Sequence, residues 1–230
     1  MLSILFEDEY YVAINKPHGL LVHRSKIAKD ATEFALQLLR DQIEQKVYPA
    51  HRLDRKTGGV LVFAKSKEAD VKLKKIFAER KINKTYWAIV RGWIEQESGS
   101  IDKSLITESG KSQKALTHYK VLEQLEINQP VSKFTTGRFT WVEVKPVTGR
   151  MHQIRKHFAH IRHYIINDKA HGDCQQNKFF EQQLNINHML LHAKTLSFTH
   201  PYTNKEILIT ADIQKDFKET LNVLQSKIKK

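Results

Sequence analysis

The chain has 230 residues, 40% of them hydrophobic and 27% charged, which fits a folded globular protein and not a disordered chain. One cysteine, Cys174, excludes an internal disulfide, and no apolar run approaches the ~20 residues needed to cross a bilayer. Lys and Arg number 38 against 25 Asp and Glu, a formal net charge of +13; such a surface attracts phosphate polymers, but it also suits a basic protein with no polyanionic partner.

The first residues, Met1 to Glu9, are too few and too acidic for a signal peptide, so a cytoplasmic protein with no membrane association is the simplest reading. Residues 2–6 and 10–15 read as two short strands around an acidic turn, and Asn15-Lys-Pro-His-Gly19 then breaks the chain. Asp30 and Glu33 have capping-box spacing, and Ala31, Phe34, Ala35, Leu38, Leu39 and Ile43 recur at helical spacing, so a helix is expected over roughly 31–45. Val60–Ala64 reads as a buried strand. Ser66 is placed to cap a second helix with Leu73, Ile76 and Phe77 on one side. Tyr86–Val90, His118–Leu122 and Phe139–Val144 are β-branched or aromatic runs separated by Gly- and Ser-containing loops. Gln153–Ile161 looks helical, Met189–Thr199 and Glu206–Thr210 look extended, and Ile213, Phe217, Leu221, Leu224 and Ile228 mark a C-terminal amphipathic helix. Strands outnumber helices without alternating regularly with them, which points to an α+β domain around an extended sheet.

Three stretches carry the chemistry. In Ala50-His-Arg-Leu-Asp54-Arg-Lys-Thr-Gly-Gly-Val, an aspartate flanked by arginines feeds an apolar strand. A cation beside Asp54 keeps a carboxylate ionised in a partly dry site, and such a group serves as nucleophile or base. Taken alone, an Asp–Arg pair at a strand entry is more often a surface ion pair. In Thr148-Gly-Arg-Met-His-Gln-Ile-Arg155, a turn opens a helix crowded with groups that suit phosphates or carboxylates. In Lys84-Thr-Tyr86-Trp-Ala, an aromatic next to a lysine offers a face to a base, or packs in a sheet. His152, His157, His160 and His163 invite a metal reading, but the His-Glu-x-x-His pattern is missing and no cysteine lies nearby, so no metal is expected.

Together these stretches resemble the RluA-type pseudouridine synthase family. His51-Arg-Leu-Asp54, with Thr57 and Gly59, is similar to its catalytic motif; Asn15-Lys-Pro-x-Gly19 with Leu21-Val-His23 to its N-terminal motif; Lys84-x-Tyr86-x-Ala88-x-Val90-x-Gly92 to its tyrosine motif; and Thr148-Gly-Arg-x-His-Gln-Ile-Arg155-x-His157 to its arginine motif. Leu190-Leu-His-Ala193 and His200-Pro201 match its closing strand region, so the resemblance runs from about residue 3 to residue 212. Leu21-Val-His-Arg-Ser25, Ile89-Val-Arg-Gly-Trp93 and His171-Gly-Asp173 resemble a subfamily that acts on tRNA, at uridine 65 in the T stem. Gly58 departs from the family, which usually has serine there.

The resemblance implies the pseudouridine synthase catalytic fold: an extended, mixed, largely antiparallel sheet flanked by helices with a central cleft. It implies a single catalytic domain over residues 1–230 and no separate N-terminal RNA-binding domain. It assigns Asp54 the covalent work as uracil leaves C1′, without choosing between attack on the sugar, attack on the base and removal of the 2′ proton. Tyr86 stacks on the target base and helps deprotonate C5, and Arg155 pairs with Asp54. Arg52 fills the hole left by the flipped nucleotide, and Leu190 or Leu191 walls the ring. His51, Arg150 and His152 join the substrate-binding set. No cofactor, no metal and no obligate protein partner is implied; the expected partner is a structured RNA, tRNA, and the expected state is monomeric. Loops 24–30, 98–114 and 126–137 are the expected determinants of which RNA is chosen. Two rivals fit parts of the sequence: a glycosidic-bond hydrolase pairing Asp54 with Asp168 or Asp173, and a non-catalytic RNA-binding module.

Overall fold

The structure, a computed structural model, describes residues 1–24 and 32–226. In chain order its elements are β1 (Ser3–Glu7), β2 (Tyr11–Lys16), α1 (Ala35–Gln42), β3 (Tyr48–Pro49), β4 (Gly58–Ala64), α2 (Lys67–Ala78), β5 (Ile82–Arg91), β6 (Ser98–Asp102), β7 (Leu105–Ile106), β8 (Ser112–Gln113), β9 (Leu116–Ile127), β10 (Gly137–Pro146), α3 (Gln153–His160), α4 (Cys174–Gln183), β11 (Leu191–Thr199), β12 (Glu206–Thr210) and α5 (Lys215–Ser226). They form two compact units, one of Met1–Lys84 with Ala193–Ile213 and one of Thr85–His192 with Gln214–Lys230. Each unit packs helices on an antiparallel sheet, which bears out the α+β expectation.

The first unit is built on β1–β2–β4–β11, with β3 also on β4 and β12 on β11. Asp8 makes the acidic turn: its Oδ1 accepts from the N–H groups of Tyr10 and Tyr11 at 2.8 and 2.7 Å, which reverses the chain from β1 into β2. All of β4 is buried, as its continuous Val-Leu-Val-Phe-Ala run requires of a strand covered on both faces. Ser66 caps α2 as expected, its side chain accepting from Ala69 N–H at 3.1 Å. Leu73 then enters a core of Tyr11, Val60, Val62, Leu196 and Phe198, with Ile76 and Phe77 against its edge.

α1 is shorter than its apolar spacing suggests. It begins at Ala35 and ends at Gln42, and its N-cap, Phe34, gives no side-chain cap. The N–H groups of Ala35 and Leu36 are taken instead by the carbonyls of Leu21 and Val22 at 2.8 and 3.0 Å. The backbone of Leu21 and Val22 thus replaces the expected capping box, whose Asp30 lies outside the described residues.

The second unit is built on β5–β10–β9–β6. Its core gathers Ala88, Val90, Val142, Val144, Ile154, Phe158 and Leu191. The stretch 98–114, expected as a loop, holds β6 paired to β9 and a small hairpin of β7 and β8. Within 126–137, Val131 and Phe134 bridge each other at 3.0 and 3.1 Å. α4 is a helix that the polar sequence Cys174-Gln-Gln-Asn-Lys-Phe-Phe-Glu did not announce. Asp173 caps it, accepting from Gln175 and Gln176 N–H at 2.9 and 3.1 Å, while Phe179 and Phe180 face inward. The expected C-terminal helix is present as α5, with Phe217, Leu221 and Leu224 buried; Ile228 lies outside the described residues. No helix among the described residues is long and apolar enough to cross a membrane.

Candidate active site

In the first unit the candidate site residues sit on the turn entering β4. Thr57 N–H donates to the Asp54 carbonyl at 3.0 Å, closing a β-turn, with Leu53 and Thr57 buried on either side. This leaves Asp54 half-buried and Arg52 exposed. The turn is fastened to the N-terminal motif. Gly19 N–H donates to the Arg55 carbonyl at 2.8 Å, and Arg55 Nε returns a bond to Gly19 O at 3.0 Å. Lys16 is fully buried, and its ammonium donates to the carbonyls of Pro17 and Leu20, each at 2.8 Å, and of Arg55 at 3.2 Å. Burial pushes the Lys16 ammonium down to about 7, and the negative charge of Asp54 pulls it back up.

His51 is held inside this unit. Its Nε2 accepts from Val62 N–H at 3.0 Å, and its ring stacks on Phe77 with centroids 4.8 Å apart. Burial, with the Lys84 charge adding to it, pushes the imidazole down to about 3. One ring nitrogen is therefore spent on the backbone of β4. Beside it Gly59, at φ +109°, lies so close to the neighbouring strand that a Cβ would overlap the backbone of Ala193.

In the second unit Arg155 is the central group. It is 7% exposed, and it makes a two-pronged pair with Asp168: Nε to Oδ2 and Nη2 to Oδ1, each at 2.7 Å. Asp168 Oδ1 also accepts from Ala170 and His171 N–H at 3.0 and 3.1 Å. Burial raises the Asp168 carboxyl, but the hydrogen bonds and charge of Arg155, together with those two amides, outweigh it and hold the group below the ordinary carboxylate value.

The helix bearing Arg155 is positioned by Gln153, 4% exposed. Its Oε1 accepts from Thr148 Oγ1 at 2.6 Å and Arg150 N–H at 3.0 Å, while its Nε2 donates to Leu116 O at 3.0 Å and Thr117 Oγ1 at 2.9 Å. His152 enters the helix in the left-handed region, φ 54°, with its Nδ1 2.9 Å from His171 Nε2. Arg150 donates from Nε to Lys114 O at 3.3 Å. Tyr86 lies on β5 opposite Val144 of β10, half-buried against the core that holds Leu191 and the α3 residues Ile154 and Phe158. The structure thus gathers Tyr86, Leu191 and the helix of Arg155 on one apolar bed. Leu190 has no exposed surface; its N–H donates to Ile166 O at 3.0 Å and its carbonyl accepts from Ile89 N–H at 3.1 Å.

The histidine group does not converge. His157 Nε2 lies 3.0 Å from Lys103 O, His163 Nδ1 lies 2.8 Å from Arg91 O, His152 faces His171, and His160 is exposed. The second carboxylates of the hydrolase reading are also engaged: Asp168 by Arg155, and Asp173 by Arg91 at 2.8 Å and by the start of α4. Sequence reasoning did not find Lys16 or Asp168 as anchors. The available signals were a lysine closing a largely apolar strand and an Asn-Asp pair four residues before a glycine.

The model of the RNA pseudouridylate synthase family matches residues 10–160. The tRNA pseudouridine synthase C of Vibrio vulnificus is 49% identical over 94% of this chain and 92% of its own. That of Salmonella typhimurium is 40% identical over 96% and 89%. Among solved structures, human RNA pseudouridylate synthase domain containing 4 superposes with a TM-score of 0.73 at 25% identity over 97% of this chain and 93% of its own. Human RNA pseudouridylate synthase domain containing 1 gives 0.71 at 20% identity over 98% and 95%. The family match takes in the Asp54 turn, Tyr86 and Arg155, and this chain belongs to the RNA pseudouridylate synthase family.

Proposed function

We propose that this protein is a tRNA pseudouridine synthase that converts uridine 65 in the T stem to pseudouridine, acting as a cytoplasmic monomer whose two units make one catalytic domain. The observation that carries the reading is 40–49% identity, over more than nine-tenths of the chain, to proteins named tRNA pseudouridine synthase C, together with the intact Asp54, Tyr86 and Arg155 motifs. The net charge of +13 suits a polyphosphate substrate.

The reaction is an isomerisation. The C1′–N1 bond breaks, the uracil turns, a C1′–C5 bond forms, and the C5 proton leaves while N1 gains one. Asp54 is the essential carboxylate at the sugar–base junction, and its turn holds it rigid. Tyr86 stacks on the base and assists loss of the C5 proton, while Arg155 brings a positive charge to the site. A stem uridine must first leave the stack, at a cost of a few kcal/mol, which an inserted side chain offsets. Arg52, exposed ahead of Asp54, is that side chain. Of the two leucines, Leu191 is the ring wall, since it shares the bed of Tyr86. Arg150 and His152 meet the backbone, and His51 acts by bracing the turn.

The test is tritium release from tRNA labelled at C5 of uridine, with wild type and Asp54→Asn in parallel, followed by chemical mapping of the modified position. Release by wild type alone, mapping to position 65, is the expected result. Release with ribosomal RNA only, or undiminished release by Asp54→Asn, overturns the proposal.

A further inference from the structure

The carboxylate of Asp168 is almost inaccessible, at 1% exposed, yet it is surrounded by more donors than a simple ion pair needs. Its Oδ2 receives Arg155 Nε–H, while its Oδ1 receives Arg155 Nη2–H and the amides of Ala170 and His171. The main chain beneath it is fixed as well. Asp168 O accepts from Gly172 N–H at 2.9 Å and from the Asn177 side chain at 3.1 Å, and a Cβ at Gly172 would overlap that same carbonyl. Asn177 also accepts Asn167 N–H at 2.8 Å, so α4 clamps the loop from outside.

A guanidinium held along its Nε/Nη2 edge has lost its rotational freedom. Its two Nη1 protons and second Nη2 proton can point in one direction only. We propose that Asp168 is the positioning residue for Arg155, fixing the direction in which the guanidinium meets the reacting groups. This rests on the reading of Arg155 as the active-site arginine. Asp168 itself touches neither substrate nor reacting atoms; it acts through Arg155, with α4 as its support.

Asp168→Asn separates this role from a purely structural one. The amide oxygen takes the place of Oδ1, where three donors converge, and the loop is kept. The amide NH2 then faces Arg155 Nε–H, donor against donor, and turns the guanidinium away. Misplacing a reacting group by about 1 Å costs about 100-fold in turnover, so kcat for tRNA should fall by about that factor while KM changes little. In the 1H–15N spectrum of the arginine side chains, the slowly exchanging Nε–H of Arg155 should be present in wild type and lost in Asp168→Asn. Asp173→Asn, which removes the neighbouring ion pair with Arg91 but keeps an α4 cap, serves as the control and should leave kcat unchanged.

A kcat for Asp168→Asn within about twofold of wild type, with the Nε–H signal lost, would overturn the proposal, because orientation would then not matter. A retained signal with normal melting would overturn it too, as would a matching loss of kcat in Asp173→Asn. A wild type that releases no tritium condemns the reading of the reaction instead, and the Nε–H signal still reports whether Asp168 holds Arg155.

Discussion

The main-chain N–H of Val62, in the middle of β4, donates to the Nε2 of His51 eleven residues earlier. The first link of the catalytic motif is thus tied to the strand that follows it. That bond exists only while Nε2 is unprotonated, and burial holds the ring at about 3 against an ordinary 6.5. A base whose folded value lies below its unfolded one contributes stability that is complete above the unfolded value and is lost as pH falls through the window between them. Stability of the wild type should therefore decline between pH 6.5 and 3, by a few kcal/mol in all. In His51→Gln the amide oxygen can still accept Val62 N–H but does not titrate. Urea midpoints measured across that window should fall less steeply for this variant; equal slopes would show that His51 does not carry the linkage.

Removing the Lys16 ammonium takes a charged donor from three main-chain carbonyls, of which that of Arg55 still accepts from Gly19 N–H. Hydrogen bonds to charged groups are each worth about 1.5–3 kcal/mol, so Lys16→Met should destabilise the protein by about 3 kcal/mol or more. Turnover should drop further than a melting shift explains, because the turn that loosens is the one holding Asp54. Single-turnover assays well below the variant's melting temperature check this. Normal turnover in a destabilised Lys16→Met would limit the lysine to folding.

Replacing Arg155 should lower stability as well as turnover. Arg155→Ala strands the buried Asp168 carboxylate, and breaking such a pair from one side costs about 3–5 kcal/mol. Arg155→Ala/Asp168→Ala should be more stable than the arginine variant alone, while both remain inactive. Denaturant unfolding of the two single variants and the double variant completes the cycle. Strict additivity would contradict the pair.

Gly59→Ala should be among the most damaging one-carbon changes in the first unit. The new methyl meets the backbone of Ala193, and the φ of +109° is strained for any side chain. Expression with a loss of several degrees in melting temperature is expected. Unchanged melting would mean that β4 and β11 are looser than they stand here.

Where local chemistry decides, the sequence was readable. Ser66 before Lys67-Glu-Ala-Asp gave the start of α2, the acidic turn at Asp8 gave the first hairpin, and the four-and-three spacing of Phe217, Leu221 and Leu224 gave α5. Readings failed where the decisive partner is distant in sequence. α1 starts late because Leu21 and Val22 supply its acceptors, and β6 exists because β9 offers an edge to Ser98-Gly-Ser-Ile-Asp102. α4 was hidden because its apolar face reduces to Phe179 and Phe180. Of the candidate site, Asp54 and Arg155 were visible in their motifs. The residues holding them were not, since Lys16 and Asp168 are linked to the motifs only through the folded chain.

Lys16 grips the Asp54 turn through three backbone oxygens, of Pro17, Leu20 and Arg55. Every amino acid carries that oxygen, so the clasp is indifferent to what is attached at position 20, whereas at position 55 the arginine side chain adds its own bond to Gly19 O. Mutation can therefore sample new side chains along the rim, and with them new RNA contours, without disturbing the carboxylate at its centre. A lineage built this way can drift in what it modifies while the chemistry stays fixed.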